Sequence, residues 1–188
     1  MKRIVFYCLV LMSILLSACA PSATATSALP TAEPTKTEVT VSFQLTSDAF
    51  IHGQSIPAKY TCTGKNVSPA LAWNEPPTGT QSFALIVDDP DAGSIPYVHW
   101  VFFNIPASVR ALPEAMPYDA TLPDGSSIGE GGVYQGPCPP SGTHRYFFKL
   151  YALDKILDNN ISANKDELLK AMDGHILAQA ELMGTFAK

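Results

Sequence analysis

Three stretches of this chain, residues 82–87, 98–104 and 145–153, are dense in aromatic and β-branched side chains and are bounded by Pro, Gly or Asp. Branching at Cβ crowds a helix but suits the pleated surface of a sheet. Short stretches of this kind ending in turn formers read as the central strands of a sheet. Val39, Val41, Phe43 and Leu45 alternate with Thr40, Ser42, Gln44 and Thr46. That is the two-residue period of a strand with one buried face, so the folded part also opens on a strand. Between these stretches lie long segments full of Gly and Pro, above all 113–140, with turn chemistry and no period. Long loops in a compact domain are where binding residues concentrate.

A helical signal appears only near the C-terminus. Asn164 can cap a helix with Glu167 three residues on, and Leu168, Leu169 and Met172 supply its buried stripe. A second helix is expected after Gly174, with Ile176, Leu177, Ala180 and Met183 on or near one face, and His175 at its start. The expected fold is mainly β: an antiparallel β-sandwich with two short helices at its C-terminal end.

The N-terminus has a different character. Basic Lys2 and Arg3 precede an apolar run over residues 4–16, and small residues lead into Cys19. This is the layout of a secretory signal, and the run falls short of the ~20 residues a spanning helix needs. Leu16-Ser17-Ala18-Cys19 resembles the lipobox of bacterial lipoproteins. The resemblance implies that residues 1–18 are cleaved and that Cys19 is acylated, each buried methylene adding about 0.8 kcal/mol of membrane affinity. Residues 20–38 are mostly Ala, Thr, Ser and Pro, too poor in large apolar side chains to order, and read as a tether. Residues 39–188 then form a single domain, extracytoplasmic and lipid-anchored to the cell membrane or outer membrane. The net charge of −5 argues against a nucleic-acid partner.

The chain has four cysteines. Cys8 leaves with the signal and Cys19 is taken by lipid, so Cys62 and Cys138 remain. Two left in an exported domain point to one disulfide, with buried thiols or a metal pair as the alternatives. No CxxC spacing favours metal. A loop this long would be stabilised by roughly 4 to 5 kcal/mol at most on chain-entropy grounds.

Ionisable groups gather in three places: Asp88-Asp89-Pro90-Asp91-Ala92 ending one expected strand, His99-Trp100 in the next, and Gly142-Thr143-His144-Arg145-Tyr146 entering a third. Residues two apart on a strand share a face, so Asp89 pairs with Asp91, and His144 with Tyr146, and both pairs can converge on one pocket. Asp88 is expected to face away. His52 reads as a surface residue, and Trp73 and Trp100 as core.

Together, Asp89-Pro90-Asp91-Ala92, His99-Trp100 with Asn104, Gly136-Pro137-Cys138-Pro139-Pro140 and His144-Arg145-Tyr146 resemble the phosphatidylethanolamine-binding protein (PEBP) family, in particular its bacterial and archaeal Raf-kinase-inhibitor-like branch. Tyr60-Thr61-Cys62-Thr63-Gly64, Ser68-Pro69 and Leu71-Ala72-Trp73 fit that branch as well. The resemblance implies a β-sandwich with a small pocket that accepts phosphate-like groups and phospholipid head groups. Carried over by motif, Asp89, Asp91, His99, His144 and Tyr146 line it, with backbone from Gly136 and Pro137 alongside. Arg145 is expected to point the other way, into a structural ion pair. Gly93 stands where the family usually has Pro, which implies a more mobile rim.

The implied function is binding of an anionic or phosphorylated small molecule or lipid head group, with no catalytic residue, metal or cofactor assigned. Nearby carboxylates are expected to raise the pKa of His99 and His144 and favour imidazolium, so that binding weakens above neutral pH. Two other classes stay open. Asp89, Asp91, His99 and His144 are a plausible Zn²⁺ or Mn²⁺ set for a metal-dependent hydrolase, although no HxxxH spacing occurs. The family is also named for kinase and protease inhibition, which would make the domain a protein-interaction module with an unknown partner.

Overall fold

The computed structural model describes residues 42–117, 119, 121 and 129–188. The expected signal peptide, Cys19, the tether and Val39, Thr40 and Val41 lie outside the described residues. Among the described residues, eight strands and one α-helix follow in order: β1 Leu45–Thr46, β2 Leu71–Trp73, β3 Ser82–Asp89, β4 Tyr97–Pro106, β5 Ala111–Leu112, β6 Glu130–Gly131, β7 Thr143–Leu153, α1 Lys165–Met172 and β8 Ile176–Ala187. They form a three-stranded sheet, β1-β2-β5, and a five-stranded sheet, β6-β4-β3-β7-β8, antiparallel throughout the described pairs.

The sequence of β3 explains its central place. It is buried along its whole length, because both of its faces are covered. Phe83, Leu85 and Val87 join Leu45, Leu71, Trp73 and Leu112 in the core between the sheets. Ala84 and Ile86 join Leu168 and Met172 of α1, and Leu157, on the other side. The molecule is thus a sandwich with a helix on the outer face of its larger sheet. Asn164 caps α1, accepting from the N–H groups of Asp166 (2.9 Å) and Glu167 (3.4 Å). Glu167 turns back to the Ser162 hydroxyl (2.6 Å) and so closes the loop before the helix.

Two expectations are corrected. The second C-terminal helix is strand β8, paired with β7 from Thr143↔Ala187 to Leu153↔Ile176. Ala180, Leu182, Gly184 and Phe186 are buried while Gln179 and Glu181 are exposed, a period of two that the Ala- and Leu-rich composition disguised. An unpaired β7 edge would leave a row of N–H and C=O groups unsatisfied, and that ladder outweighs local helix preference. Gly184 fits the strand because a Cβ there would lie 2.5 Å from Ile56 and 2.7 Å from Phe50. His175 accordingly precedes a strand, paired with Asp154 at 2.8 Å. The opening strand is also shorter than expected among the described residues, although Phe43 and Leu45 still face inward and Ser42, Gln44 and Thr46 outward.

The segment 113–140 is not wholly aperiodic. Glu130 and Gly131 pair with Phe103 and Phe102 of β4, and the chain continues along β4 until the Gln135 N–H reaches the His99 carbonyl at 2.9 Å. Cys62 and Cys138 form a disulfide, Cα to Cα 5.4 Å, across 76 positions.

Candidate functional site

Asp89 ends β3, His99 lies in β4 and His144 is the second residue of β7, so three adjacent strands deliver them to one end of the sandwich. The β3–β4 register skips from Val87↔Trp100 to Asp88↔Val98 and leaves His99 as the extra residue of a bulge. A bulge re-aims the side chain it frees. Asp89, His99 and His144 line a cleft of about 290 Å³, closed on the far side by Gln135, Gly136, Cys138, Pro139 and Pro140, with Tyr97 and Ala92 at the rim.

His144 Nδ1 lies 2.7 Å from Asp89 Oδ2, and the side chains are 11% and 4% exposed. The other Asp89 oxygen accepts from the Asp91 N–H at 2.8 Å. His99 Nδ1 lies 2.6 Å from the Gln135 carbonyl, which can only accept, so Nδ1 carries the hydrogen. Nε2 is left for the cleft. Burial holds the His99 pKa below the ordinary histidine range, against the opposing pulls of the Gln135 carbonyl and Asp89. The expected imidazolium at His99 is therefore corrected: the free site holds a neutral ring at pH 7, because desolvation outweighs carboxylates that do not touch it.

Tyr146 packs edge-on to His99, ring centres 5.1 Å apart, and is fully buried behind it rather than part of the cleft lining. Its hydroxyl makes no hydrogen bond of regular geometry among the described residues, with the Asp89 carboxylate and the Cys138 N–H as its polar neighbours. Burial, then the Asp89 charge, raises the phenol well above its usual range and keeps it a proton donor.

Asp91 stands outside the lining. The Arg145 N–H (2.9 Å) and its guanidinium nitrogens (3.0 and 2.8 Å) all reach its carboxylate. These Arg145 bonds hold the Asp91 carboxyl down at about 2. Asp88 faces the helix layer, 2.9 Å from Lys149 and in contact with Lys165. Pro137 is also outside the lining, its carbonyl accepting from the Cys62 N–H at 3.1 Å. Gly136 does line the cleft and donates to Asn66 Oδ1 at 2.8 Å.

Sequence reasoning missed Tyr97 and Gln135. Tyr97 covers His99 with its ring, centres 4.8 Å apart, and donates to the Gln135 side chain at 2.5 Å. Its place two residues before His99 was the available signal. Gln135 acts through a backbone carbonyl, which no residue type announces. Among the described residues no group of three or more His, Cys, Asp or Glu side chains is placed to hold a metal ion. With Asp91 engaged by Arg145, the four-residue metal set considered from sequence does not assemble.

Comparison with known proteins agrees with this architecture. Residues 46–187 match the family model described as phosphatidylethanolamine-binding protein. A UPF0098 protein of Methanothermobacter thermautotrophicus is 49% identical over 148 residues, spanning 77% of this chain and 98% of the relative. A UPF0098 protein of Chlamydia trachomatis is 43% identical over 150 residues, covering 77% of this chain and 99% of its own length. Among solved structures, a PEBP homologue from Chlamydia trachomatis superposes with a TM-score of 0.70 at 39% identity, covering 78% of this chain and 98% of that one. E. coli YbcL, described as a member of the mammalian PEBP family, superposes with a TM-score of 0.66 at 30% identity, covering 79% and 99%. The family model spans residues 46–187, and relatives 43% and 49% identical are covered almost end to end: this chain belongs to the phosphatidylethanolamine-binding protein family.

Proposed function

We propose that this protein is a lipid-anchored, extracytoplasmic binding protein whose cleft takes a small anionic ligand carrying a phosphate or similar group, a phospholipid head group included. The observation that carries the reading is the convergence of His99 Nε2 and the Asp89–His144 pair on one cleft, each ring oriented through its Nδ1. Preset polar groups at the end of an apolar cleft recognise a small polar head at low ordering cost. Asp89 holds the His144 ring in place but repels an anion, and His99 is neutral in the free site, so the complex needs a further proton at His99. It arrives on His99 Nε2, or on the ligand as P–OH donating to Nε2. Binding is thereby coupled to uptake of about one proton.

Titration calorimetry of the full chain with inorganic phosphate and phosphoethanolamine tests this. Saturable binding lost in His144→Ala and Asp89→Ala is the expected result. A folded chain that binds neither probe refutes the reading. The anchor is tested separately: Cys19→Ser is expected to release the chain from the membrane fraction, and a variant that stays membrane-bound refutes that part. The Cys62–Cys138 bridge is in keeping with an oxidising compartment.

A further inference from the structure

The Cys62–Cys138 bridge lies outside the core. Both residues are exposed, and Cys138 lines the cleft. Beside the burial of Pro137 and Pro139 and the Cys138 N–H near the Tyr146 hydroxyl, the stretch it holds has few fastenings. Pro137, Pro139 and Pro140 have no N–H to donate, and no backbone-to-backbone hydrogen bond among the described residues reaches 138–141. Upstream, the same wall is fastened to the 60–66 segment. The Tyr134 hydroxyl donates to the Tyr60 carbonyl at 2.9 Å, and the Gly136 N–H to Asn66 at 2.8 Å. The Cys62 N–H to the Pro137 carbonyl, 3.1 Å, comes from the residue that bears the bridge. Gln135, which orients His99 and meets Tyr97, sits at the fastened end.

Resting on the reading of the cleft as an anion site, we infer that Cys62–Cys138 is a redox latch: oxidised, it holds the 136–140 wall against the ligand, and reduced, it lets the wall move and the ligand go. The co-reactant is a dithiol reductant. One of its thiolates attacks Cys62 Sγ, the bridge S–S bond breaks, a mixed disulfide forms, and Cys138 leaves as a thiolate that takes a proton from water. The second thiol of the reductant then displaces Cys62 as a thiol, and the reductant departs as its own disulfide. Two electrons have passed to the bridge. Lys188 Nζ lies 4.0 Å from Cys138 Sγ, where a positive charge favours Cys138 as the leaving thiolate.

The test combines hydrogen exchange with phosphate titration on the full chain in detergent, before and after dithiothreitol. Exchange is expected to quicken in peptides covering 134–142 and 60–66 while β3 and β7 stay protected, and the phosphate Kd to rise by about tenfold or more. Reoxidation restores both, and a Cys62→Ser, Cys138→Ser double variant behaves as permanently open. Unchanged exchange in 134–142 with the bridge open overturns the latch. Loss of protection in β3 as well also overturns it, because the bridge would then staple the fold rather than the wall. Equal phosphate binding by both forms overturns the latch alone. No binding by the oxidised chain overturns the anion reading and the latch together.

Discussion

Asp88 and Asp89, adjacent at the end of β3, face opposite layers of the molecule: Asp88 meets Lys149 and Lys165 on the helix side, and Asp89 meets His144 in the cleft. One strand therefore sends one carboxylate to the helix layer and the next to the cleft. Asp88→Ala strands two half-buried ammonium groups and is expected to cost about 3 kcal/mol in chemical denaturation, with phosphate affinity unchanged. Asp89→Asn is expected to show the reverse weighting, about 1 kcal/mol of stability and most of the binding. Equal losses of binding in the two variants would contradict the assignment.

The His99 ring titrates below the ordinary range because it is buried. The unfolded chain, with histidine near pKa ~6.5, binds that proton more readily than the fold does. Stability from this group is therefore complete above about pH 6.5 and falls as the pH drops below it. Ligand binding runs the other way, since the complex holds the extra proton, so affinity is expected to fall as pH rises from 6 to 9. His99→Gln should flatten the binding profile, and a wild-type affinity constant over that range would remove the proton-coupled mechanism.

Gly136 is the residue through which the cleft wall touches its neighbour. A Cβ there would lie 2.4 Å from both Asn66 Oδ1 and the Tyr60 carbonyl oxygen, one of them backbone. Gly136→Ala is expected to cost about 2 kcal/mol and to lower phosphate affinity by shifting the Gln135 carbonyl away from His99. Gly132, four residues earlier, has nothing within 4 Å of its would-be Cβ, and Gly132→Ala serves as the neutral control. Thermal melts of the two variants decide this.

Arg145 takes up the Asp91 carboxylate at the rim, and the carboxyl pKa of about 2 that results makes the pair persist to low pH. Because its pKa is depressed, Asp91 contributes above the ordinary carboxylate range and loses that contribution as the pH falls toward 2. The pair is solvent-screened, so Arg145→Ala is expected to leave stability at pH 7 nearly unchanged in chemical denaturation. Phosphate affinity should hold to within about twofold, or about 0.4 kcal/mol. A large loss of binding would place Asp91 in the site after all.

Much of the architecture was legible in the chain itself. The aromatic and β-branched stretches became β3, β4 and β7 because such side chains fit a pleated surface wherever that surface is buried. The cap at Asn164 was legible because capping is a contact between near neighbours. That Asp89, His99 and His144 could meet in one cleft was legible because each is an ionisable group carried on a largely apolar strand, where a charge needs a partner. Tertiary structure alone decided the rest. Residues 176–187 are a strand because β7 has an edge to fill, and a helix preference of tenths of a kcal/mol per residue cannot compete with that ladder. Asp91 left the cleft because Arg145, 54 positions away, folds beside it. His99 lost its expected charge through burial, which outweighs the pull of a carbonyl 36 positions on. Local sequence sets which residues can pair with backbone and face a core, but which charge meets which, and how dry the meeting is, depends on parts of the chain that only folding brings together.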